Sequence, residues 1–290
     1  MVTTRRLTNA DRAALEALLC REPRHNAFHL SVLREFGVEG PGGESWGVGA
    51  YRGDTLVGSA MALRGTGGIY HTPGDADVLE ALAGAATDQV MMGNLALLSG
   101  HASQIDPLLG LAGSLVYGHM DRCDFVTLRR GELQARTRAV HGFGPPRLAG
   151  PEDMERLIDF YLHGFYSLAR LPSRTAWRNR LTEQLAFRTL YFIEDEKGAV
   201  ASAALSSAEG GGAAMLGGVA TLDEYRGRGL SALCVGALCD YLFRNGTQAI
   251  SLFYLRNNHA AARVYGKLGF RAAGEWLLAP VGAGFLFGNL

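Results

Sequence analysis

One order of elements recurs along this chain: a short strand, two amphipathic helices, then a meander of three strands. Residues 2–7 are predicted to form the first strand, and Thr8 or Asn9 caps a helix whose Ala13, Leu15, Leu18 and Leu19 face inward. A second helix over 26–36 presents Phe28, Val32, Leu33 and Phe36 and stops at Gly37. Strands are expected at 46–51, 55–63 and 68–71, with Gly53-Asp54 as the first tight turn. The order restarts with a strand at 147–149, helices at 151–166 and 174–187, and strands at 189–194, 199–206 and 213–221. Pro151 suits the first turn of its helix, and Lys197-Gly198 makes the turn between two strands. No residue identity between the halves is evident, so the repeat is one of architecture. The plain alternative is that many mixed α/β chains divide into such a series.

Helices at 76–87 and 102–109 and a strand or two within 115–128 complete the first half. Residues 131–146 are polar and rich in breakers, ending Gly142-Phe143-Gly144-Pro145-Pro146, and read as a linker. This predicts a domain over 1–130, a linker over 131–146 and a domain over 147–290. Only the second half is expected to continue with a helix at 229–244, a strand at 249–255 and a helix at 258–268. Strands at 271–278 and 284–287 then close its sheet. The expected fold class is α/β (α+β): in each domain a central mixed, mostly antiparallel sheet flanked by helices.

The 290 residues suffice for two domains, and 48% hydrophobic against 19% charged residues allows a sizeable core. Formal net charge is zero and neither half carries the basic excess that binding a phosphate backbone needs, so nucleic acid is not an expected partner. Cys20, Cys123, Cys234 and Cys239 show no CxxC and no regular spacing, which predicts buried thiols in a reducing compartment. The start, Met1 to Leu7, lacks the apolar run of a signal peptide, and no stretch approaches the roughly 18 apolar residues of a membrane span. A cytoplasmic protein without a membrane partner is expected.

The chemistry concentrates in two elements. In the first, the strand through Gly218, Val219, Ala220 and Thr221 leads by a short loop to Tyr225-Arg226-Gly227-Arg228-Gly229-Leu230-Ser231 and a helix. Glycines in such a turn leave backbone N–H groups uncovered at a helix N-terminus, where the dipole adds to their pull on a phosphate or pyrophosphate. The second element is Asn258, Ala261, Val264, Tyr265, Gly269 and Phe270. Asn258 is placed to begin a helix, and Tyr265, two turns on, shares its face.

Together these residues resemble the GNAT family, the GCN5-related N-acetyltransferases. The family's pyrophosphate motif, Arg/Gln-x-x-Gly-x-Gly/Ala, is matched by Arg226 to Ser231 with one departure, Ser231 in the last place. Its later motif, Asn-x-x-Ala-x-x-x-Tyr-x-x-x-Gly-Phe, is matched from Asn258 to Phe270 at each fixed position. The motifs span about 217–270, and the likeness of fold extends over the second half. The resemblance implies an acetyltransferase using acetyl-CoA as co-substrate, without a metal. By the same resemblance, backbone groups of Val219, Ala220 and Thr221 would hold the pantetheine arm and acyl carbonyl where the family's sheet splays open. Amides of Arg226, Gly227, Arg228, Gly229, Leu230 and Ser231 would take the pyrophosphate. Asn258 would bind near the pantetheine, and Tyr265 would protonate the departing CoA thiolate. A phenol of pKa about 10 can donate to a thiolate whose conjugate acid lies near 8.5. The plain readings are an aromatic packed on the sheet for Tyr265 and a helix N-cap for Asn258.

A missing base is the main departure from the family. Residues 213–221 and 251–255 hold no carboxylate to take a proton from an amine. Glu209, Glu194, His163 or a water chain are the alternatives, as is an acceptor amine already neutral at working pH. Cys234 and Cys239 lie among apolar residues of the helix after the turn and read as core. His25 and His29 stand at i, i+4, without an HExxH pattern or an evident third ligand. The aromatic and basic set Tyr161, Leu162, His163, Phe165, Tyr166, Arg170, Arg174, Trp177 and Arg178 falls where the family's first helices wall the acceptor site.

The first half carries neither motif and is expected to be a divergent GNAT-like domain acting as a scaffold, an acceptor-site wall or a dimer surface. Three functions stand on this reading. The first is acetyl transfer to a primary amine of a small molecule or peptide, by direct attack in a ternary complex. The second is a non-catalytic acyl-CoA sensor or scaffold. The third is an aminoacyl-tRNA-dependent transferase, which the retained turn and neutral charge argue against.

Overall fold

A computed structural model of the chain describes all residues except 41–44, 64, 72–74, 113–114, 117, 135–138, 165–172 and 283–290. Ten elements follow one another twice in the same order. The first series is β1 (Val2–Arg6), α1 (Arg12–Leu19), α2 (Ala27–Phe36), β2 (Ser45–Arg52), β3 (Thr55–Leu63), β4 (Gly65–His71), α3 (Ala76–Met91), β5 (Leu95–His101), α4 (Ala102–Ala112) and β6 (Asp121–Arg129). The second is β7 (Arg147–Leu148), α5 (Met154–Gly164), α6 (Arg174–Phe187), β8 (Leu190–Glu194), β9 (Val200–Gly210), β10 (Ala213–Thr221), α7 (Leu230–Arg244), β11 (Ala249–Leu255), α8 (His259–Lys267) and β12 (Arg271–Pro280). The repeat is therefore longer than the sequence suggested. Strand β5, absent from the expected elements, gives the first series the helix–strand–helix–strand ending foreseen only for the second.

The repeat also has a residue signature that the sequence did not advertise. Arg5 donates from both guanidinium ends to Asp11, six residues on, at 2.9 and 2.6 Å. Arg147 does the same to Asp153, also six residues on, at 2.9 and 2.7 Å. Each aspartate accepts a backbone N–H at 2.9 Å, from Thr8 and from Gly150, which ties the chain entering each first helix. Each arginine lies over an aromatic ring of the first meander strand, Tyr51 at 4.2 Å and Phe192 at 4.1 Å.

The chain forms two compact units. The first contains the chain up to Phe125 together with Phe253–Asn257 and residues from Ala272 on; the second contains Val126–Leu252 and Asn258–Arg271. In the first unit β1, β2, β3 and β4 are antiparallel neighbours, β5 joins β4 in parallel, and β12 joins β5 antiparallel. The last described strand thus pairs with β5, whereas the sequence reading had it close the sheet of its own half. Helix α3 presents Val78, Leu82, Ala86 and Val90 at helical spacing to a core that Leu277 and Ala279 of β12 and Val281 complete. Helices α1 and α2 cover a second core through Leu15, Leu18, Leu19, Leu30 and Leu33.

In the second unit β7, β8, β9 and β10 are antiparallel neighbours, and β11 joins β10 in parallel. Helix α7 buries Cys234, Val235, Leu238, Cys239 and Leu242 against β8, β9 and β10. Helices α5 and α6 bring Leu157, Ile158, Tyr161, Trp177 and Leu181 into a core with Phe192 and Leu205. The mixed α/β fold of mostly antiparallel sheets flanked by helices is as expected. The strand expected at 284–287 lies outside the described residues.

Candidate active site

Strand β10 changes character halfway along. Its first residues, Ala213 to Met215, pair in parallel with Ala249 to Ser251 of β11. From Leu216 onward its registered partners among the described residues are on β9 alone. Gly217 faces Leu205 and Ala220 faces Ala203, so three steps on β10 meet two on β9 and one residue bulges out. Gly218 occupies the bulge at φ +56°, a left-handed value open to glycine. Burial changes at the same place, from buried Ala213–Leu216 to half-buried Gly217–Thr221. An edge of strand backbone is therefore available to a ligand along Gly217, Gly218, Val219, Ala220 and Thr221.

Two side chains fix this edge. The Tyr161 hydroxyl donates to the Gly218 carbonyl at 3.2 Å. The Ser202 hydroxyl donates to the Ala220 carbonyl at 3.0 Å and lies 2.8 Å from Thr221 Oγ1. Neither contact was foreseen, because each joins residues distant in sequence.

The strand leads through a 3-10 turn at Asp223–Tyr225 into the glycine turn. Gly227 and Gly229 take φ of 78° and 81°, both left-handed. Gly229 is the N-cap of α7 and has no side chain to cover the helix end, and the first turn of α7 holds no acidic residue. The first N–H groups of a 15-residue helix are thus left for a ligand, with the positive end of the dipole behind them. Leu230 is 1% exposed, so its side chain anchors the turn while its amide faces the helix mouth. Ser231, in the last motif place, is half-buried. Arg226 behaves differently from the expectation for its amide: its N–H donates to the Asp223 carbonyl at 3.2 Å. Its guanidinium folds back, 2.8 Å from Asp223 and 3.3 Å from the Thr221 carbonyl. The Arg228 guanidinium lies over Phe143 at 5.5 Å and Tyr225 at 5.9 Å, and Tyr225 donates to Asp195 at 2.8 Å.

Helix α8 packs on α7 and begins at Asn258, whose Oδ1 accepts the Ala261 N–H at 3.0 Å. Asn258 is exposed, so the cap leaves it open to solvent. Tyr265 is 8% exposed and meets Phe270 edge-on at 5.7 Å. The packing role of Tyr265 and the capping role of Asn258 are both present.

The carboxylates considered as bases are engaged elsewhere. Glu209 accepts from Ser206 Oγ and from the Thr189 N–H, the latter at 3.1 Å. It faces Ala214, four residues before the bulge, or about 13 Å along a strand. Glu194 receives Arg156 at 2.9 Å and Arg147 at 3.3 Å. His163 is exposed, with Nδ1 2.7 Å from the Asp159 carbonyl, and two residues of helix turn it away from the face of Tyr161. Of the set expected to wall the acceptor site, Tyr161 and Trp177 are core residues, stacked at 4.9 Å. Arg174 and Arg178 form ion pairs with Glu155, and Arg174 also with Asp159, on the exposed side of α5 and α6. Phe165, Tyr166 and Arg170 lie outside the described residues.

Burial pushes the Cys234 thiol up to about 12 and the Cys239 thiol higher still, as fits core cysteines. His25 stacks on His101 with centroids 3.9 Å apart. Among the described residues no group of three or more His, Cys, Asp or Glu is arranged to hold a metal. No helix among them is long and apolar enough to cross a membrane.

Residues 153–270 match the sequence model of the acetyltransferase (GNAT) family. No curated protein matches the sequence. Solved structures match over nearly all of the chain. A Drosophila protein superposes with a TM-score of 0.71 at 15% identity, over 95% of this chain and 98% of its own. A tandem GNAT protein from the clavulanic acid biosynthesis pathway gives 0.64 at 16%, over 96% and 98%. A GCN5-related N-acetyltransferase from Sphaerobacter thermophilus gives 0.65 at 17%, over 96% and 94%. The stretch that resembles the acetyltransferase (GNAT) family, residues 153–270, thus lies on the second of the chain's two series of elements.

Proposed function

We propose that the chain transfers the acetyl group of acetyl-CoA to a primary amine by direct attack within a ternary complex. One observation carries this reading: the bulged, half-unpaired edge of β10 runs straight into the two-glycine turn and the uncapped N-terminus of α7. A ligand with an extended amide-bearing arm and a pyrophosphate matches that sequence of surfaces. The amides of Gly227 to Ser231 and the α7 dipole hold the pyrophosphate. Backbone groups of Val219, Ala220 and Thr221 hold the arm and the acyl carbonyl, and Asn258 lies along the arm. In the transfer step the neutral amine nitrogen bonds to the thioester carbon and the carbon–sulfur bond breaks. CoA leaves as thiolate and takes the Tyr265 hydroxyl proton, and the proton lost by the amine restores Tyr265 through solvent.

Thermal unfolding with and without acetyl-CoA, on wild type and on Gly229→Asp, tests the reading. A carboxylate at the N-cap would occupy the helix mouth and repel phosphate. A ligand at 100 times its Kd should add about 2.7 kcal/mol, a shift of several degrees, in wild type and not in the variant. No shift in wild type sinks the reading.

The engagement of Glu194 and Glu209 favours a second reading, an acyl-CoA-binding sensor without turnover. Binding of acetyl-CoA with no product across a broad panel of amines supports it, and turnover of any amine ends it.

A further inference from the structure

We propose that Tyr161 is a positioning residue for the acetyl group, its hydroxyl setting the direction in which the β10 bulge presents the Val219 N–H; this rests on the acyl-CoA reading above. The peptide unit joining Gly218 to Val219 is planar and trans, so its C=O and N–H point in opposite directions. A donor that holds the Gly218 carbonyl therefore also aims the Val219 N–H. Tyr161 is that donor, at 3.2 Å, reaching across 57 residues of sequence.

The bond matters because the bulge is loose without it. Gly218 adopts φ +56°, and glycine alone has a broad choice of conformations there. Beyond Met215, β10 has no parallel-ladder partner among the described residues to hold its free edge. Tyr161 supplies a rigid support in its place. It is 2% exposed, its ring stacks on Trp177 at 4.9 Å and 15°, and it meets Phe160 edge-on at 5.0 Å. Trp177 is itself only 3% exposed, so the pair cannot swing away without opening the core. Burial raises the Tyr161 phenol far above its ordinary value, so it stays protonated and serves as a donor throughout the working range.

The consequence is selective. An N–H fixed toward the acyl carbonyl stabilises the negative charge that grows on that oxygen during attack. Acetyl-CoA has this carbonyl and free CoA does not. A residue that aims the N–H should distinguish the two ligands, whereas one that only packs the core should affect both alike.

Titration calorimetry of acetyl-CoA and of CoA, on wild type and Tyr161→Phe, decides the matter. The substitution removes one hydroxyl and keeps the stacked ring. We expect Kd for acetyl-CoA to rise about 5-fold, the size of one hydrogen bond, with Kd for CoA changed less than 2-fold. Equal changes for both ligands, or none, overturn the role of Tyr161 and leave the acyl-CoA reading intact. Failure of wild type to bind either ligand removes both. Should Tyr161→Phe not fold, 3-fluorotyrosine at position 161 keeps the ring and makes the hydroxyl a stronger donor. It should tighten acetyl-CoA relative to CoA, and an unchanged ratio overturns the proposal.

Discussion

Arg147 grips Asp153 with both guanidinium ends, at 2.9 and 2.7 Å, across six residues of chain. The aspartate is fully buried and also accepts the Gly150 N–H and a bond from Arg156. Arg5 and Asp11 repeat the arrangement in the first unit. A strand and the chain entering the helix after it are thereby tied together at the same point of each series.

Asp153→Asn is expected to remove the charge that two arginines share. Both arginines keep about a third of their side-chain surface in water, so they can be solvated again, and the loss should be about 1–3 kcal/mol. Burial raises the Asp153 carboxyl, but bonds from Arg147 and Gly150 and the charges of Arg147 and Arg156 outweigh it, so its net position is below the ordinary carboxylate range. For Asp11 the bond from Arg5 is the leading cause of a similar lowering. A carboxylate lowered on folding stabilises above its unfolded pKa, and that stability is lost as pH falls below about 4. Urea unfolding between pH 5 and 2.5 should show a drop in stability that Asp153→Asn reduces. An identical slope in the variant would refute the assignment.

Trp276 on β12 donates to Ser99 on β5 at 2.9 Å and lies parallel to Phe253 at 5.5 Å. It is 2% exposed, and Leu277, Ala279 and Val281 beside it are fully buried in the core of α3. Trp276→Ala should cost about 3–5 kcal/mol. A fragment ending at residue 130 lacks this strand and should not unfold cooperatively in urea. A cooperative fragment with the same midpoint as the intact protein would show that β12 is dispensable.

Much of this was legible because local chemistry leaves marks. Glycines that need left-handed φ, an Asn at a helix start, and apolar residues at helical spacing gave the turn, the α8 cap and most helices. Strand β5 was missed because Leu95-Ala96-Leu97-Leu98-Ser99-Gly100-His101 has no β-branched residue and lies directly between two helices. The partner of β12 was unreadable for a different reason. Alternation along a strand identifies its buried face and is silent about which edge it joins. The Tyr161–Gly218 and Ser202–Ala220 bonds depend on such pairings, so the support of the site was hidden while its motifs were plain.

His29 on α2 is 6% exposed, and neither of its ring nitrogens has a hydrogen-bond partner among the described residues. Burial holds its pKa down to about 4, against an ordinary value near 6.5. The unfolded chain therefore binds a proton between these values that the folded chain refuses. Stability is complete above pH 6.5 and falls as pH drops toward 4, by about 2 kcal/mol at pH 5. His25, stacked on His101 and also lowered to about 4, acts in the same direction. The midpoint of urea unfolding should shift down from pH 7 to pH 5, and His29→Asn should flatten that dependence. A midpoint that stays level in wild type would mean that His29 is protonated in the fold.

Asn258 allows its two roles to be separated. Its Oδ1 accepts the Ala261 N–H as an N-cap, while the proposed function asks the same exposed side chain to meet the pantetheine arm. Asn258→Ala removes both and should lower stability by about 1 kcal/mol. Asn258→Ser restores a capping oxygen but shortens the side chain and deletes its amide donors. Stability should then return while the affinity for acetyl-CoA stays reduced. If serine restores binding as fully as stability, the residue acts only by starting α8, and its contact with the ligand is refuted. If alanine weakens binding without lowering the melting temperature, the cap is unimportant and the amide itself meets the ligand. Paired melting and calorimetric curves on the three proteins separate these outcomes.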